Sequence, residues 1–372
     1  MTTPRVPFVD FRAHVAALRG EIDAAVARVL DSGWFILGPE GEAFERELAS
    51  ALGAHDAVAV ANGTDALHLA LRALGVGPGD EVVTTSLSAA FTALAIVQAG
   101  ARPVFVDVDE ATLNLDPRAV AAALTPRTKA IVPVHLYGHP ADLQPILDVA
   151  AERGIAVLED ACQAHGARYR GRPVGTLAPL GALSFYPTKN LGALGDGGAI
   201  LCADPAHAAR LRRLRNGGQS DRYRHEELGV NSRLDEVQAA ILRVSLRHLP
   251  AWTARRREIG AFYLRELEGT GLGLPREQEY ATAVYHLFVV RHPHRDALAA
   301  ALRQDGIGTL VHYPTPLHRQ PAFAPLAAGL ALPNVERAAD EILSLPLYPE
   351  LTDTQASAVV AAVRRAASAV RC

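Results

Sequence analysis

The chain has 372 residues, 49% hydrophobic and 21% charged, with a formal net charge of −3. That is an ordinary globular composition, long enough for one large domain and a smaller one, and its charge argues against a nucleic-acid surface. No apolar stretch is long enough for a membrane span, and the start "MTTPRVPFVDFRAH" lacks a signal pattern, so a cytoplasmic protein is expected. Cys162, Cys202 and Cys372 show no CxxC spacing, which predicts neither a metal site nor a disulfide framework.

Apolar residues at steps of three or four predict a helix over 12–30, and a second short helix follows over 40–52. An alternation then begins. "AVAV" (57–60) is a strand, and "NGTDALHLALRAL" is a helix with its start signal. "EVVTT" is a strand, 89–99 a helix and "PVFVDV" a strand. Asp116 and Pro117 open the next helix as N-cap and first residue. "KAIVPV" (strand), 142–153 (helix), "IAVLED" (strand), "ALSFY" (strand) and "GAILC" (strand) continue the series. Strands alternating with helices predict an α/β fold whose mostly parallel sheet is covered on both faces. A helix over 233–249 ends at Pro250, where a smaller α+β unit is expected to start. That unit reads as a helix (251–268), a strand "VYHLFVV", a helix (295–304), a strand "IGTLVHY" and a final helix (354–370). The expected domains are therefore 1–250 and 251–372.

Four places at strand ends or helix starts stand out. Gly63 and Thr64 open a helix after a strand, where free N–H groups and the dipole favour a phosphate; a plain capped helix is the other reading. Asp160 ends an apolar strand, where ligands gather in such sheets. Buried there it needs a cation, or else it caps the next helix. Lys189 is the only charged side chain between Arg172 and Asp196, in the run "SFYPTKNLGALGDGGA". A surface lysine is its alternative. Asn231, before the helix "RLDEVQAA", offers an amide to a phosphate or caps that helix. Lysine, carboxylate and phosphate cup together fit pyridoxal phosphate. Neither GxxxxGK[ST] nor an opening GxGxxG is present.

The stretches "GPEGEAFERELASALG", "NGTDALHLALRALGVGPGDEVVT", "EDACQAHGA", "SFYPTKNLGALGDGGA", "NSRLDEVQAAIL" and "VHYPTPLH" come in an order that resembles the DegT/DnrJ/EryC1/StrS family of sugar aminotransferases. Those are fold type I pyridoxal-phosphate enzymes, and the likeness covers most of the chain. It implies that Lys189 forms the Schiff base with the cofactor, that Asp160 pairs with the ring nitrogen, and that Gln163 meets the ring hydroxyl. Gly63, Thr64 and Ser184 would hold the phosphate. Asn231 would reach the cofactor phosphate of a neighbouring copy, which implies a homodimer. One departure is the stretch "TTSLSAAFTAL", where many members carry an aromatic that stacks on the ring and this chain has Ala89. Phe91 or Leu87 would compensate, or the ring is held from elsewhere.

The reaction implied is transfer of an amino group, with glutamate as donor, to a nucleotide-linked keto-sugar. "YRHEELGVNSRLDE" resembles members acting on 3-keto sugars more than those acting on 4-keto sugars. Six arginines lie between 210 and 224. Most of Arg210–Arg215 are expected on a solvated helix face, whereas Arg222, Tyr223 and Arg224 are substrate candidates. His312, Tyr313 and His318 in "VHYPTPLH" are further candidates, or a helix cap and core histidines. Three alternatives accompany this reading. A dehydratase subgroup of the family replaces the lysine, which is intact here. A non-catalytic regulator would not need Lys189, Asp160 and Gln163 together. A keto-cyclitol could take the place of the sugar.

Overall fold

The computed structural model describes residues 5–370. Helix α1 (Phe11–Ser32) starts where Asp10 accepts from the N–H of Ala13 at 3.0 Å, and ends at Gly33 in the left-handed region. Its stripe Leu18, Ile22, Ala25 and Val29 packs on Ala240, Ile241 and Val244 of a long helix described below. Helix α2 (Pro39–Leu52) has no side-chain cap of its own. Glu236 supplies one from far along the chain, accepting from the N–H groups of Gly38, Glu40 and Gly41 at 2.8–2.9 Å.

The central sheet has seven strands: β1 (Asp56–Val60), β2 (Glu81–Thr85), β3 (Arg102–Val106), β4 (Thr128–Val132), β5 (Ala156–Asp160), β6 (Leu180–Ser184) and β7 (Gly198–Cys202). Their spatial order is β1-β7-β6-β5-β4-β2-β3. Only β7 runs antiparallel to its neighbours. Connecting helices α3 (Gly63–Ala73), α4 (Ala90–Gln98), α5 (Pro117–Ala123), α6 (Leu143–Arg153) and α7 (Pro205–Leu214) match the expected alternation. The strands are continuous apolar runs because both faces are covered, one by the cluster around Leu67, Leu71 and Ile200, the other by that around Phe44, Leu183 and Leu242.

Three features differ from the sequence expectation. First, α8 (Glu236–Leu267) is one helix of 32 residues that runs through Pro250. Pro250 is exposed on the outer side, so its ring meets solvent rather than a packed neighbour. The first half of α8 packs on α1 and α2, and the second half sends Ile259, Tyr263 and Leu267 into the smaller core. The position read as a domain boundary is thus the middle of a shared helix. Second, the smaller unit's ladder pairs β8 (Phe288–Arg291) with β9 (Ile342–Leu345). The segment 307–313 is not a strand and its main-chain pairing is confined to isolated bridges from Ile307 to Val6 and from Leu310 to Ser344. Third, Val6 is fully buried in this smaller core, which brings the start of the chain onto its far end. Helices α9 (Arg295–Gln304), α10 (Pro333–Glu341) and α11 (Asp353–Val370) complete it.

Candidate active site

The carboxyl ends of β1, β5 and β6 open into one cavity of about 840 Å³, which Lys189, Asp160, Gly63, Thr64, Ala89, Gln163, Ser184, His312 and Tyr313 all line. At the start of α3, Asn62 caps the turn by accepting from the N–H of Asp65 at 2.8 Å. The N–H groups of Gly63 and Thr64 are left without a partner among the described residues. A Cβ on Gly63 would lie 2.7 Å from Ser184 Cβ and 3.3 Å from Cys162 Sγ. Glycine is what lets the first turn of α3 settle on the end of β6, so that two free N–H groups and the Ser184 hydroxyl converge.

Asp160 is 3% exposed. Its Oδ2 accepts from the Thr92 hydroxyl at 2.7 Å and its Oδ1 from the N–H of Cys162 at 3.2 Å. The main chain is pinned as well, with the Asp160 N–H on Pro133 O at 2.9 Å and the His135 N–H on Asp160 O at 3.0 Å. A turn after β6 places Lys189, whose own N–H donates to Tyr186 O at 2.8 Å. No carboxylate lies within ion-pair distance of its ammonium among the described residues. Burial lowers its pKa below the usual lysine range, and the nearby Cys162 and Asp160 oppose this only in part. The result is an amine shifted toward its neutral, nucleophilic form.

Gln163 bridges two segments. Its Oε1 accepts from the N–H of Tyr137 at 2.8 Å, and its Nε2 donates to the Tyr313 hydroxyl at 3.1 Å. One amide N–H remains for a ligand. Burial pushes Tyr313 up to about 12, and it pushes His312 down to about 4 with help from the Lys189 charge. The His312 ring is held by Ser344 Oγ at 2.8 Å.

Several expected residues are elsewhere. Asn231 is exposed, lies outside its own chain's cavity, and does not cap α8, whose N-cap is Asp235. Arg222, Tyr223 and Arg224 form the exposed tip of a hairpin, with Arg222 over the Tyr223 ring at 5.1 Å. His318 is buried away from the cavity, bonded to Ser86 Oγ at 2.7 Å and Glu336 Oε1 at 3.1 Å, which is a structural clamp. The arginines at 210–215 are not a solvated face. Arg212 pairs with Asp56 at 2.7 Å, Arg215 with the buried Glu45, and Arg210 with Glu227 at 3.2 Å. As for the ring face, Leu87 is fully buried in another cluster, whereas Phe91 lines the cavity and is 59% exposed.

The cavity also contains residues the sequence did not single out: Thr92, Cys162, Arg256, His286 and Tyr348. Thr92 sits three residues after Ala89 and could have been anticipated as facing the same side of α4. The others come from distant segments and carry no motif. A second groove of about 1010 Å³ runs past Tyr137, Arg265 and Arg276 and includes neither Lys189 nor Asp160. No group of three or more His, Cys, Asp or Glu suited to a metal occurs among the described residues, nor a helix long and apolar enough to cross a membrane.

The donor set fits pyridoxal phosphate. Two unpartnered N–H groups and a serine hydroxyl suit a phosphate, a braced carboxylate suits a pyridinium, and a half-buried amine without an ion pair suits an aldehyde. Comparison with known proteins agrees. Residues 16–364 match the model of the DegT/DnrJ/EryC1/StrS aminotransferase family. The chain is 51% identical over 370 residues to the dTDP-3-amino-3,4,6-trideoxy-alpha-D-glucose transaminase of Streptomyces venezuelae, covering 99% of this chain and 98% of that protein. It is 50% identical over 366 residues to the erythromycin biosynthesis sensory transduction protein EryC1 of Saccharopolyspora erythraea, covering 97% and 100%. The crystal structure of S. venezuelae DesV in complex with a ketimine intermediate superposes with a TM-score of 0.96 at 51% identity, over 98% of this chain and 99% of that one.

Proposed function

The chain belongs to the DegT/DnrJ/EryC1/StrS aminotransferase family, and from that premise we propose that it transfers an amino group from an amino acid, glutamate by expectation, to the 3-keto carbon of a nucleotide-linked sugar. It is a pyridoxal-phosphate enzyme. The observation that carries the reading is Lys189, an unpaired amine with a lowered pKa in the same cavity as Asp160 and the free N–H groups of α3. Position 3 is supported by the name of the S. venezuelae relative, a dTDP-3-amino-sugar transaminase.

Bound pyridoxal phosphate supplies an aldehyde that condenses with amines and a ring that takes up electrons as a proton leaves the adjacent carbon. The protein's part follows from its own atoms. Gly63 and Thr64 N–H and Ser184 Oγ would anchor the phosphate. Asp160, fixed by Thr92 and by the Cys162 N–H, would set a negative charge against the ring nitrogen. Lys189 Nζ would hold the cofactor's aldehyde and, as a base in the same cavity, would take a proton and return it at the neighbouring carbon. His312 and Tyr313, which line the same cavity, would meet the sugar.

We read the active protein as a homodimer. Trp34, Phe35 and Leu194 are 57%, 50% and 40% exposed and gather at the start of α8, where Phe35 O and the Leu194 N–H bond to Glu236 and Gln238. Exposed apolar side chains gathered in this way suit a partner surface. Asn231 lies outside its own cavity a few residues before α8, where it can serve a second copy's phosphate. The hairpin with Arg222, Tyr223 and Arg224 can likewise serve a partner's nucleotide.

The test is a panel of nucleotide-linked 3-keto and 4-keto sugars and a keto-cyclitol with glutamate as donor, read by mass spectrometry. Amination of a 3-keto sugar is expected. Amination of only the 4-keto sugars or the cyclitol would move the reading to those acceptors. Loss of all turnover with cofactor bound would favour a regulatory role.

A further inference from the structure

We propose that Phe8 is a positioning residue for the acceptor sugar: the start of the chain lays it along the cavity, where it fixes the His312 imidazole with one ring nitrogen turned to the ligand. The inference rests on the aminotransferase reading of this cavity and adds the device that aims one of its side chains.

The segment from Val6 to Asp10 is a short strap anchored at both ends. At one end Val6 is fully buried in the smaller core, its N–H donates to Gly306 O at 3.0 Å, and its O accepts from the Gly308 N–H at 2.8 Å. At the other end Asp10 caps α1, which packs on the first half of α8. Pro7, Phe8 and Val9 span the gap, and the proline ring removes one soft dihedral from it. A second tie, His14 to Glu350 at 2.7 Å, holds the first turn of α1 to the small unit. Phe8 and Val9 line the cavity. The strap is thus part of the cavity wall and has little freedom to leave it. Gly308 permits its close approach, since a Cβ there would lie 2.8 Å from the Phe8 nitrogen and 3.3 Å from Val6 O.

What the strap meets is His312. The Phe8 ring lies against the imidazole, with centroids 5.5 Å apart and planes 30° apart. The Tyr313 ring stands edge-on, at 5.6 Å and 89°. Nδ1 is tied to Ser344 Oγ at 2.8 Å, and the main-chain O accepts from the Tyr137 hydroxyl. A single hydrogen bond at Nδ1 leaves the plane of the ring free to tilt, and the stacked Phe8 removes that freedom. Nε2 has no partner among the described residues and is not buried, in a residue that lines the cavity. The titratable groups that face His312 are Lys189, His286, Tyr137 and Tyr313, and none is a carboxylate that would hold the ring charged. A neutral imidazole gives or takes one hydrogen bond at its free nitrogen, which suits a sugar hydroxyl or the keto oxygen.

The ring is read directly by NMR of protein labelled at histidine Cε1, with the His312 signal assigned by its loss in His312→Gln. Between pH 5 and 8 the wild-type signal should stay nearly flat, as burial and the Lys189 charge place this pKa at about 4. In Phe8→Ala water reaches the ring and favours the charged form. A midpoint should then enter the range, below 6.5 because Lys189 still opposes it. kcat/KM for the keto-sugar should fall about ten- to hundredfold, the scale of a misplaced positioning group. Phe8→Tyr keeps the ring face and should restore both. Gly308→Ala pushes the strap away without changing any side chain of the cavity and should act in the same direction as Phe8→Ala. Val359→Ala, in the same smaller core but outside the cavity, is the stability control and should move neither readout. A flat signal in both Phe8→Ala and Gly308→Ala overturns the proposal, as does a wild-type midpoint near 6.5 or a loss of kcat/KM that Val359→Ala matches. Should Phe8→Ala not fold, Gly308→Ala decides. The NMR readout needs no substrate, so it fails only if the positioning is wrong, whereas the expected NMR change with no turnover of any sugar would count against the aminotransferase reading instead.

Discussion

Gly63→Ala tests whether the start of α3 is the phosphate site. The added Cβ would stand 2.7 Å from Ser184 Cβ, 3.1 Å from Ser184 Oγ and 3.3 Å from Cys162 Sγ. Ser184 Cβ is fixed to the end of β6 and cannot swing aside, so α3 must retreat by several tenths of an ångström. Overpacking of this kind costs roughly 1–3 kcal/mol. Alanine gains back up to about 1 kcal/mol over glycine in a helix interior, and less at the first position. The fold should therefore lose only about 0–2 kcal/mol. Cofactor binding should lose more, because the N–H groups of residues 63 and 64 move off the phosphate together. At roughly 1.5–3 kcal/mol per hydrogen bond to a charged group, a ten- to hundredfold weaker dissociation constant is expected. The assay is absorbance titration of cofactor-free protein with pyridoxal phosphate, beside thermal melts with and without cofactor. Ile307→Val in the smaller core is a control of similar stability cost, about 0.5–1.5 kcal/mol, and should leave the affinity unchanged. If Gly63→Ala melts lower yet binds cofactor as tightly as wild type, the phosphate is held elsewhere.

Asp160→Asn should bind cofactor but lose about 10²–10³-fold in turnover, comparable to removing one electrostatic contact at a reacting centre; near-normal turnover would reduce Asp160 to a strand-end brace. His165 is 1% exposed with both ring nitrogens unpartnered, and burial, aided by the Lys189 charge, lowers its pKa to about 3. The unfolded chain therefore binds a proton that the folded chain refuses, so this histidine's share of stability is present above pH 6.5 and is lost as pH falls toward 3. His165→Phe should flatten that acid slope by up to about 1.4 kcal/mol per pH unit, measured by urea unfolding between pH 4 and 7; an unchanged slope would mean His165 is protonated in the fold. Ala89→Phe should tighten cofactor binding about two- to tenfold if the ring face is open at that point, and weaker binding would show that Phe91 already occupies it.

Much of this site was readable because its parts lie at chain positions with local signatures. The order of strands and helices follows from apolar period, and Asp160, Ser184 and Gly63 mark strand ends or a helix start that the parallel sheet brings side by side. What was not readable depends on direction or on distant partners. In "ARRREIG" three arginines follow one another, and each step turns about 100° around the helix. Arg255 goes out to Asp353 at 2.6 Å, Arg257 to Glu277 at 3.1 Å, and only Arg256 turns into the cavity. No local pattern distinguishes them. The arginines at 210–215 looked solvated because Glu45, Asp56 and Glu227, which pair with them, are far away in the chain. The segment 307–313 has the composition of a strand, but its N-terminal end pairs with Val6 and its middle touches β9 at one residue. Pro314 and Pro316 then remove donors that a longer ladder would need.

The dipeptide Glu159–Asp160 shows how the scaffold fixes the carboxylate proposed to face the cofactor ring. Successive strand residues point to opposite faces, so Asp160 enters the cavity while Glu159 turns behind the sheet. There the Glu159 carboxylate, fully buried, accepts from the N–H groups of Gly175, Leu177 and Ala178 at 2.7–2.8 Å and lies 3.1 Å from His135 Nε2. The same His135 donates its main-chain N–H to Asp160 O. One loop, one neighbouring strand and the end of β5 are thus tied together just behind the Asp160 carboxylate. Any tilt of Asp160 toward or away from the cavity would break several charge-assisted hydrogen bonds at once, each worth about 1.5–3 kcal/mol. The cavity face, by contrast, restrains Asp160 with only a hydroxyl and one N–H, which leaves part of its carboxylate available. Rigidity is concentrated on the side away from the substrate, and unsatisfied groups, on Lys189, Arg256 and the start of α3, are concentrated on the side that faces it.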